Sequence, residues 1–156
     1  YTYTYAVMGE LVAILQYLTG RRLQRSLARG LTVGPTPDPA AYAEHLNWLH
    51  FGEASLMVHV GMLSRLRRMA PEAEKAGFAA EALDRVLESR LGALERRLGD
   101  GRPYLTGEAF TIADISVGYA LDYARYRELD PMFGPRTMAY VDRLSVRPAY
   151  LAAIAA

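Results

Sequence analysis

The sequence predicts an all-α fold, a helical bundle, for most of this chain of 156 residues. Apolar residues recur at steps of three and four through several long segments, which is the spacing of an amphipathic helix. One such segment opens with a threonine that is followed three residues later by an aspartate, a signature of a capped helix start. Strand-like alternation is confined to the first few residues. The body of the chain is therefore expected to be helical throughout.

The composition excludes several kinds of binding partner and site. Eighteen basic residues against seventeen acidic ones leave a formal charge of +1, which provides no long-range field to attract nucleic acid or an anionic membrane. No apolar run approaches the ~20 residues that span a bilayer. Cysteine is absent, so disulfides, thiolate zinc sites and cysteine nucleophiles are excluded. We expect a cytoplasmic protein that binds neither nucleic acid nor membrane.

The first part of the chain differs from the rest. Tyr and Thr alternate over residues 1–5 and indicate a short strand, and a helical apolar pattern follows from Met8. A strand that leads directly into a helix is typical of the tail of an α/β unit, so residues 1–23 are predicted to be a remnant of one. Residues 24–38, rich in Gly and Pro, are predicted to be a linker. The chain is expected to begin inside a larger protein.

The helical domain is predicted to span residues 39–156. Its first helix opens with Asp38 as the cap and Pro39 at the first helical position, and its apolar pattern continues to Met69. Gly52 lies inside this pattern and is expected to permit close helix packing or a bend. Further helices are predicted over residues 78–98 and 112–126, around Met138, Val141 and Leu144, and from Pro148 onward.

The helix over residues 112–126 is predicted to be the centre of the fold. Thr111 can cap this helix while the Asp114 carboxylate returns to the amide of the cap, and Phe110 and Ile115 stand where a hydrophobic staple requires. The first turns are apolar on nearly every side, which indicates a buried helix. A structural role for Thr111 and Asp114 is therefore favoured over a catalytic one.

Three stretches resemble one protein family. Residues 102–114, Arg-Pro-Tyr-Leu-Thr-Gly-Glu-Ala-Phe-Thr-Ile-Ala-Asp, resemble the best-marked segment of the C-terminal domain of glutathione S-transferases. Residues 147–150, Arg-Pro-Ala-Tyr, are similar to the closing helix of the family, and residues 47–51, Asn-Trp-Leu-His-Phe, to the first helix of that domain in bacterial members. The resemblance implies that the bundle is this domain and that residues 1–23 end a thioredoxin-like, glutathione-binding domain.

The resemblance also implies glutathione as co-substrate and two residues that hold it. Glu10 matches a glutathione-binding position at a helix start, although a glutamate there also suits the helix dipole alone. The family's Ser, whose hydroxyl and amide hold the γ-glutamyl carboxylate, falls at Leu11, which offers only its amide. The family's activating Tyr, Ser or Cys lies upstream of Tyr1, so no catalytic residue is assigned.

By the same resemblance, a pocket for a small hydrophobic electrophile lies along the first long helix. The residues implied are His50, Glu53, Met57 and Val58, with Tyr123 reaching the cleft from the capped helix. Methionine is adaptable and suits such a pocket, but methionines at helical spacing are also typical of a core or a dimer contact. Core packing is favoured for Tyr123 and for its neighbours Tyr119 and Tyr126.

The residues leave two functions open and favour no metal site. His45, His50 and His59 do not share one helix face, and no carboxylate completes a zinc spacing. By resemblance, the complete protein is a homodimer that conjugates the glutathione thiolate to an apolar electrophile, and this chain alone is expected to be inactive. The alternative is a non-catalytic helical interaction domain, which Leu11 in place of Ser favours.

Overall fold

The computed structural model describes residues 39–154, so the predicted remnant (residues 1–23) and linker (residues 24–38) lie outside the described part. Within it the chain is helical, as the sequence predicts. The helices are α1 (Pro39–His50), a π-helical segment (Phe51–Met57), α2 (Val58–Met69), α3 (Phe78–Arg97), α4 (Ile112–Tyr126), α5 (Pro135–Ser145) and α6 (Pro148–Ile154), with short 3-10 turns at Glu72–Glu74, Leu98–Asp100 and Asp130–Met132. None of the described helices is both long enough and apolar enough to cross a membrane.

The first long helix is continuous from α1 through the π-helical segment into α2, because both residues that flank the π segment keep helical backbone angles. Gly52 lies in this segment and faces Ser116 of α4. A side chain at Gly52 would place its Cβ 2.5 Å from the Ser116 carbonyl carbon, so the prediction of close packing at Gly52 is confirmed. Ser116 Oγ also donates a hydrogen bond to Leu49 O at 2.7 Å. The two helices thus meet backbone to backbone.

Helix α4 lies at the centre of the bundle, as predicted. Eight of its residues are buried, among them Ile112, Val117 and Leu121, and it packs against the first long helix and against α5. Burial does not extend to every side, however. Ile115 is 41% exposed and Tyr119 is 50% exposed. One side of α4 is therefore an apolar face that remains open to solvent among the described residues.

The predicted capping box at the start of α4 is confirmed. Thr111 Oγ1 accepts a hydrogen bond from Ala113 N at 3.2 Å, and Asp114 Oδ2 accepts from Thr111 N at 2.8 Å and from Thr111 Oγ1 at 3.1 Å. Asp114 Oδ1 accepts from Leu105 N at 2.9 Å and from the Tyr140 hydroxyl at 2.8 Å. Asp114 is fully buried, so these donors replace water around its carboxylate.

Helix α5 is capped by a residue from α3. Glu95 accepts hydrogen bonds from Arg136 N at 2.9 Å, from Thr137 N at 2.9 Å and from Thr137 Oγ1 at 2.8 Å. Burial alone raises the pKa of Glu95, but these hydrogen bonds and the Arg136 charge outweigh burial and hold the pKa below its usual range. Glu95 lies so close to the backbone at Gly134 that a Cβ on Gly134 would be 2.5 Å from the Glu95 carboxyl carbon.

Helix α4 ends in a Schellman motif that lacks the usual glycine. Leu129 N donates to Ala124 O and Glu128 N donates to Arg125 O, both at 3.0 Å. Glu128 has a φ of 59°, which is the left-handed conformation that glycine usually supplies at this position. Leu129 and Ala124 are buried, in keeping with the hydrophobic contact that accompanies the motif.

Candidate functional site

An apolar cavity of about 460 Å³ lies beside the open face of α4. Helix α4 forms one wall, and α6 with the residues that precede it forms the other. This volume lies within the range of small-molecule pockets. Phe110 and Ile115, the pair predicted to form a hydrophobic staple, both border the cavity. Its main apolar residues are Phe110, Ile115, Tyr119, Leu144, Tyr150 and Ile154.

Polar contacts lie at the margins of this cavity. Asp122 and Tyr150 are joined by a side-chain hydrogen bond, which links α4 to α6. Burial raises the pKa of Asp122, and the Tyr150 hydrogen bond partly offsets that rise. Elsewhere on the wall, the Arg147 guanidinium carbon lies 3.6 Å from the centre of the Phe110 ring. The cavity can therefore hold an apolar molecule and offers a carboxyl group and a guanidinium at its edge.

The predicted electrophile pocket is a separate set of residues. His50 is exposed, whereas Glu53, Met57, Val58 and Tyr123 are each partly buried. None of these residues lines the cavity beside α4. Burial raises the pKa of Glu53, and Met57 packs partly against the core. Their assignment to an electrophile pocket stays a prediction.

The three tyrosines of α4 have different surroundings. Tyr123 packs against the core, and its hydroxyl accepts a hydrogen bond from Arg127 at 3.0 Å. The Arg127 guanidinium carbon lies 5.0 Å from the centre of the Tyr123 ring and 5.1 Å from that of Tyr126. Core packing is the wrong prediction for Tyr119 and Tyr126, which are 50% and 74% exposed, because both lie on the open side of α4.

The histidines occupy three different environments. His45 is buried, and its Nδ1 has no hydrogen-bond partner in the described part of the chain. Burial lowers the pKa of His45, while the Asp114 carboxylate opposes that shift. His59 Nδ1 lies 2.7 Å from Ser55 O. Across residues 39–154, no group of three or more His, Cys, Asp or Glu side chains is arranged to hold a metal ion.

Sequence similarity, together with the helical fold, identifies the protein family. The family model for the glutathione S-transferase, C-terminal domain matches residues 40–152, which include the buried Asp114 network and every helix of the core. The chain belongs to the glutathione S-transferase family. Its all-α bundle is the C-terminal helical domain of that family, as the resemblance of residues 102–114 implies.

Solved glutathione S-transferase structures share this fold. A glutathione transferase from Methylococcus capsulatus is 29% identical, with a TM-score of 0.71 over 92% of this chain and 64% of its own length. A family member from Pseudomonas fluorescens, solved with two glutathione bound, is 25% identical, with a TM-score of 0.73 over 90% of this chain and 60% of its own length. Ure2p5 from Phanerochaete chrysosporium was cocrystallised with 1-(S-glutathionyl)-2,4-dinitrobenzene. It is 23% identical, with a TM-score of 0.68 over 92% of this chain and 66% of its own length. Among curated proteins, no sequence matches.

This glutathione S-transferase chain spans less than two thirds of the length of those structures. Glu10 and Leu11, the two predicted glutathione contacts, lie outside the described residues. The sequence patterns missed Tyr140, which donates to Asp114, and Arg127, which lies against two tyrosine rings. No local signal marks either residue, because each acts through partners that only the folded chain brings near.

Proposed function

We propose that the complete protein containing this chain is a cytoplasmic glutathione transferase that conjugates glutathione to small apolar electrophiles. The observation that carries this proposal is the family match over residues 40–152. The similar structures support it, since one was solved with glutathione and another with a glutathione conjugate of dinitrobenzene. In this proposal, residues 39–156 supply the helical domain of the electrophile pocket.

Two groups of residues take part in the proposed reaction. Glu10 and the Leu11 amide hold glutathione at the start of a helix, where backbone N–H groups and the helix dipole favour carboxylates. His50, Glu53, Met57, Val58 and Tyr123 line the electrophile pocket. The glutathione thiolate attacks the electrophilic carbon, a carbon–sulfur bond forms, and the leaving group departs with its electron pair. No residue of this chain is assigned the role of lowering the thiol pKa.

The proposal includes a domain organisation. Residues 1–23 end a thioredoxin-like domain, residues 24–38 link it to the bundle, and two copies form a homodimer. The open apolar face of α4 supports a second domain, because exposed Ile115 and Tyr119 are typical of a surface that another unit covers. Light scattering on the complete protein tests the dimer, and a monomeric mass contradicts it.

A non-catalytic interaction domain is the second candidate function. Leu11 favours it, since a leucine removes the hydroxyl that family members present to glutathione. The two candidates differ in their response to glutathione itself. Calorimetric titration of the complete protein at millimolar glutathione gives measurable heat if it is a transferase, and gives none if it is an interaction domain.

A conjugation assay tests the transferase and its pocket together. The complete protein is mixed with glutathione and a 1-halo-2,4-dinitrobenzene, and formation of the thioether is followed. We expect Met57→Ala to raise KM for the electrophile by about tenfold, through lost apolar contact, with KM for glutathione unchanged. The matched control is Met69→Ala, because Met69 is 61% exposed at the end of α2. Absence of thioether contradicts the activity, and equal effects of the two substitutions contradict the pocket.

A further inference from the structure

A second cleft, of about 390 Å³, lies where the C-terminal ends of α2 and α4 meet. Ser64, Arg67 and Arg68 come from the last turns of α2, and residues 126–129 come from the end of α4 and the turn after it. No residue of the apolar cavity or of the predicted glutathione and electrophile sites lines this cleft. The cleft is therefore lined by other residues than those sites, although Arg127 at its wall donates a hydrogen bond to the hydroxyl of Tyr123, a residue of the predicted electrophile pocket.

Arg127 is held in place at the wall of this cleft. Its Nη2 donates to the Tyr123 hydroxyl at 3.0 Å, and its guanidinium carbon lies about equally far from the Tyr123 and Tyr126 ring centres, at 5.0 and 5.1 Å. Its Nε is buried and has no hydrogen-bond partner among residues 39–154. A buried donor without an acceptor costs free energy. The guanidinium is thus held against the two tyrosine rings at the wall of the cleft.

Among the charged residues that line the cleft, arginines outnumber carboxylates. The side chains of Arg67, Arg68 and Arg127 line it together with a single carboxylate, that of Glu128. Arg67 Nη2 also binds Asp84 at 2.6 Å, whereas within residues 39–154 no ion pair engages Arg68. As basic residues in the last turn of α2, Arg67 and Arg68 by themselves would form a solvated helix end. That interpretation omits Arg127, which arrives from another helix and turns an exposed charge pair into one wall of a concave site.

We propose that this cleft binds a small organic or inorganic anion with at least two acidic oxygens, through Arg67, Arg68 and Arg127. Guanidinium groups match carboxylate and phosphate oxygens in paired hydrogen bonds. Arginines near helix C-termini also interact favourably with the helix dipoles. That purely structural role requires no ligand, so saturable anion binding distinguishes the two explanations.

Anion titrations of the full chain at constant ionic strength test the proposal, with pyrophosphate as the phosphate probe and succinate as the carboxylate probe. We expect Arg68→Gln to weaken binding about fivefold or more, since it removes one charge from the site. Glu128→Gln removes a repelling charge and is expected to strengthen binding. Arg90→Gln is the matched control, because Arg90 is an exposed arginine of α3 that does not line the cleft.

The opposite signs of these effects make the test decisive. Saturable binding that Arg68→Gln weakens, Glu128→Gln strengthens and Arg90→Gln leaves unchanged supports the site. The tighter of the two probes then identifies a phosphate or a carboxylate ligand. Absence of saturable binding of both probes overturns the proposal. So does an equal loss in Arg68→Gln and Arg90→Gln, because that pattern reports only the net charge of the protein.

Discussion

The hydroxyl of Tyr140 donates a hydrogen bond to the Asp114 carboxylate at 2.8 Å and so ties α5 to the first turn of α4. Both residues are fully buried. Burial raises the pKa of Tyr140 well above its ordinary value, and the negative charge of Asp114 raises it further. The hydroxyl therefore keeps its proton and remains a donor well into the alkaline range.

Removal of this donor is expected to destabilise the fold. Tyr140→Phe keeps the ring but leaves a buried carboxylate oxygen with one donor fewer, so we expect the free energy of unfolding to fall by about 1–3 kcal/mol. Urea denaturation measures this change. Tyr126→Phe is the control, since Tyr126 is 74% exposed and its loss is expected to change stability by under about 0.5 kcal/mol. Equal effects of the two substitutions would falsify the role of the Tyr140 hydroxyl.

The buried imidazole of His45 makes stability depend on mild acidity. Burial lowers the folded-state pKa of His45 from the value of 6.5 that it has when exposed. As pH falls through this region, the unfolded chain takes up a proton that the folded chain does not, so the free energy of unfolding decreases. The stability is fully present above the unfolded pKa and is lost as pH falls toward the folded pKa.

Urea denaturation from about pH 7.5 to about pH 5.5 measures this loss as a slope of stability against pH. His45→Leu removes the titrating group and is expected to flatten the slope, whatever its effect on stability at neutral pH. A slope that survives in His45→Leu contradicts the assignment.

The sequence predicted those parts of the fold whose causes are local. The capping box needs only Thr111 and Asp114, three positions apart, and the structure confirms it. Two of the four donors around Asp114 were not predictable, because Leu105 and Tyr140 reach it from a loop and from another helix. Likewise, Glu95 looks like an ordinary exposed glutamate in its own helix, and only the fold brings it to the start of α5.

The candidate sites also combine features that local sequence predicts with features that depend on tertiary packing. The family follows from short stretches of sequence, whereas the surroundings of each side chain depend on how the helices pack against one another. Tyr119 and Tyr126 illustrate this limit, since their spacing suits a core face and yet both side chains are exposed. The cationic cleft could not be predicted either, because Arg127 and Arg68 meet there only through tertiary packing.

Gly52 is required by the contact between the first long helix and α4. A Cβ at this position meets the Ser116 backbone, so we expect Gly52→Ala to lower the free energy of unfolding by about 1–3 kcal/mol. Gly92→Ala in α3 is the matched control, since its nearest neighbour is a flexible Arg96 side-chain atom at 3.5 Å. Alanine there is expected to stabilise the helix by about 0.5–1 kcal/mol. Denaturation curves in which both substitutions stabilise the protein would contradict the close approach.

Glu128 offers a stabilising substitution. Its φ of 59° suits glycine better than any residue with a Cβ, so Glu128→Gly is expected to raise the free energy of unfolding by about 1 kcal/mol. The same change at Glu88, an exposed position inside α3, should lower it by about 1 kcal/mol. Thermal denaturation of both variants provides the comparison. A lower melting temperature for Glu128→Gly would contradict the expectation that the left-handed backbone conformation of Glu128 destabilises the fold.

The central claim is that Thr111 and Asp114 stabilise the fold and do not bind glutathione. One substitution tests this claim directly. Thr111→Ala in the complete protein removes the side-chain cap of α4, and unfolding and glutathione affinity are measured on the same sample. We expect the free energy of unfolding to fall by about 1 kcal/mol or more, and the Kd for glutathione to stay within about twofold wherever the protein is folded. A specific loss of glutathione affinity with unchanged melting would contradict the assignment.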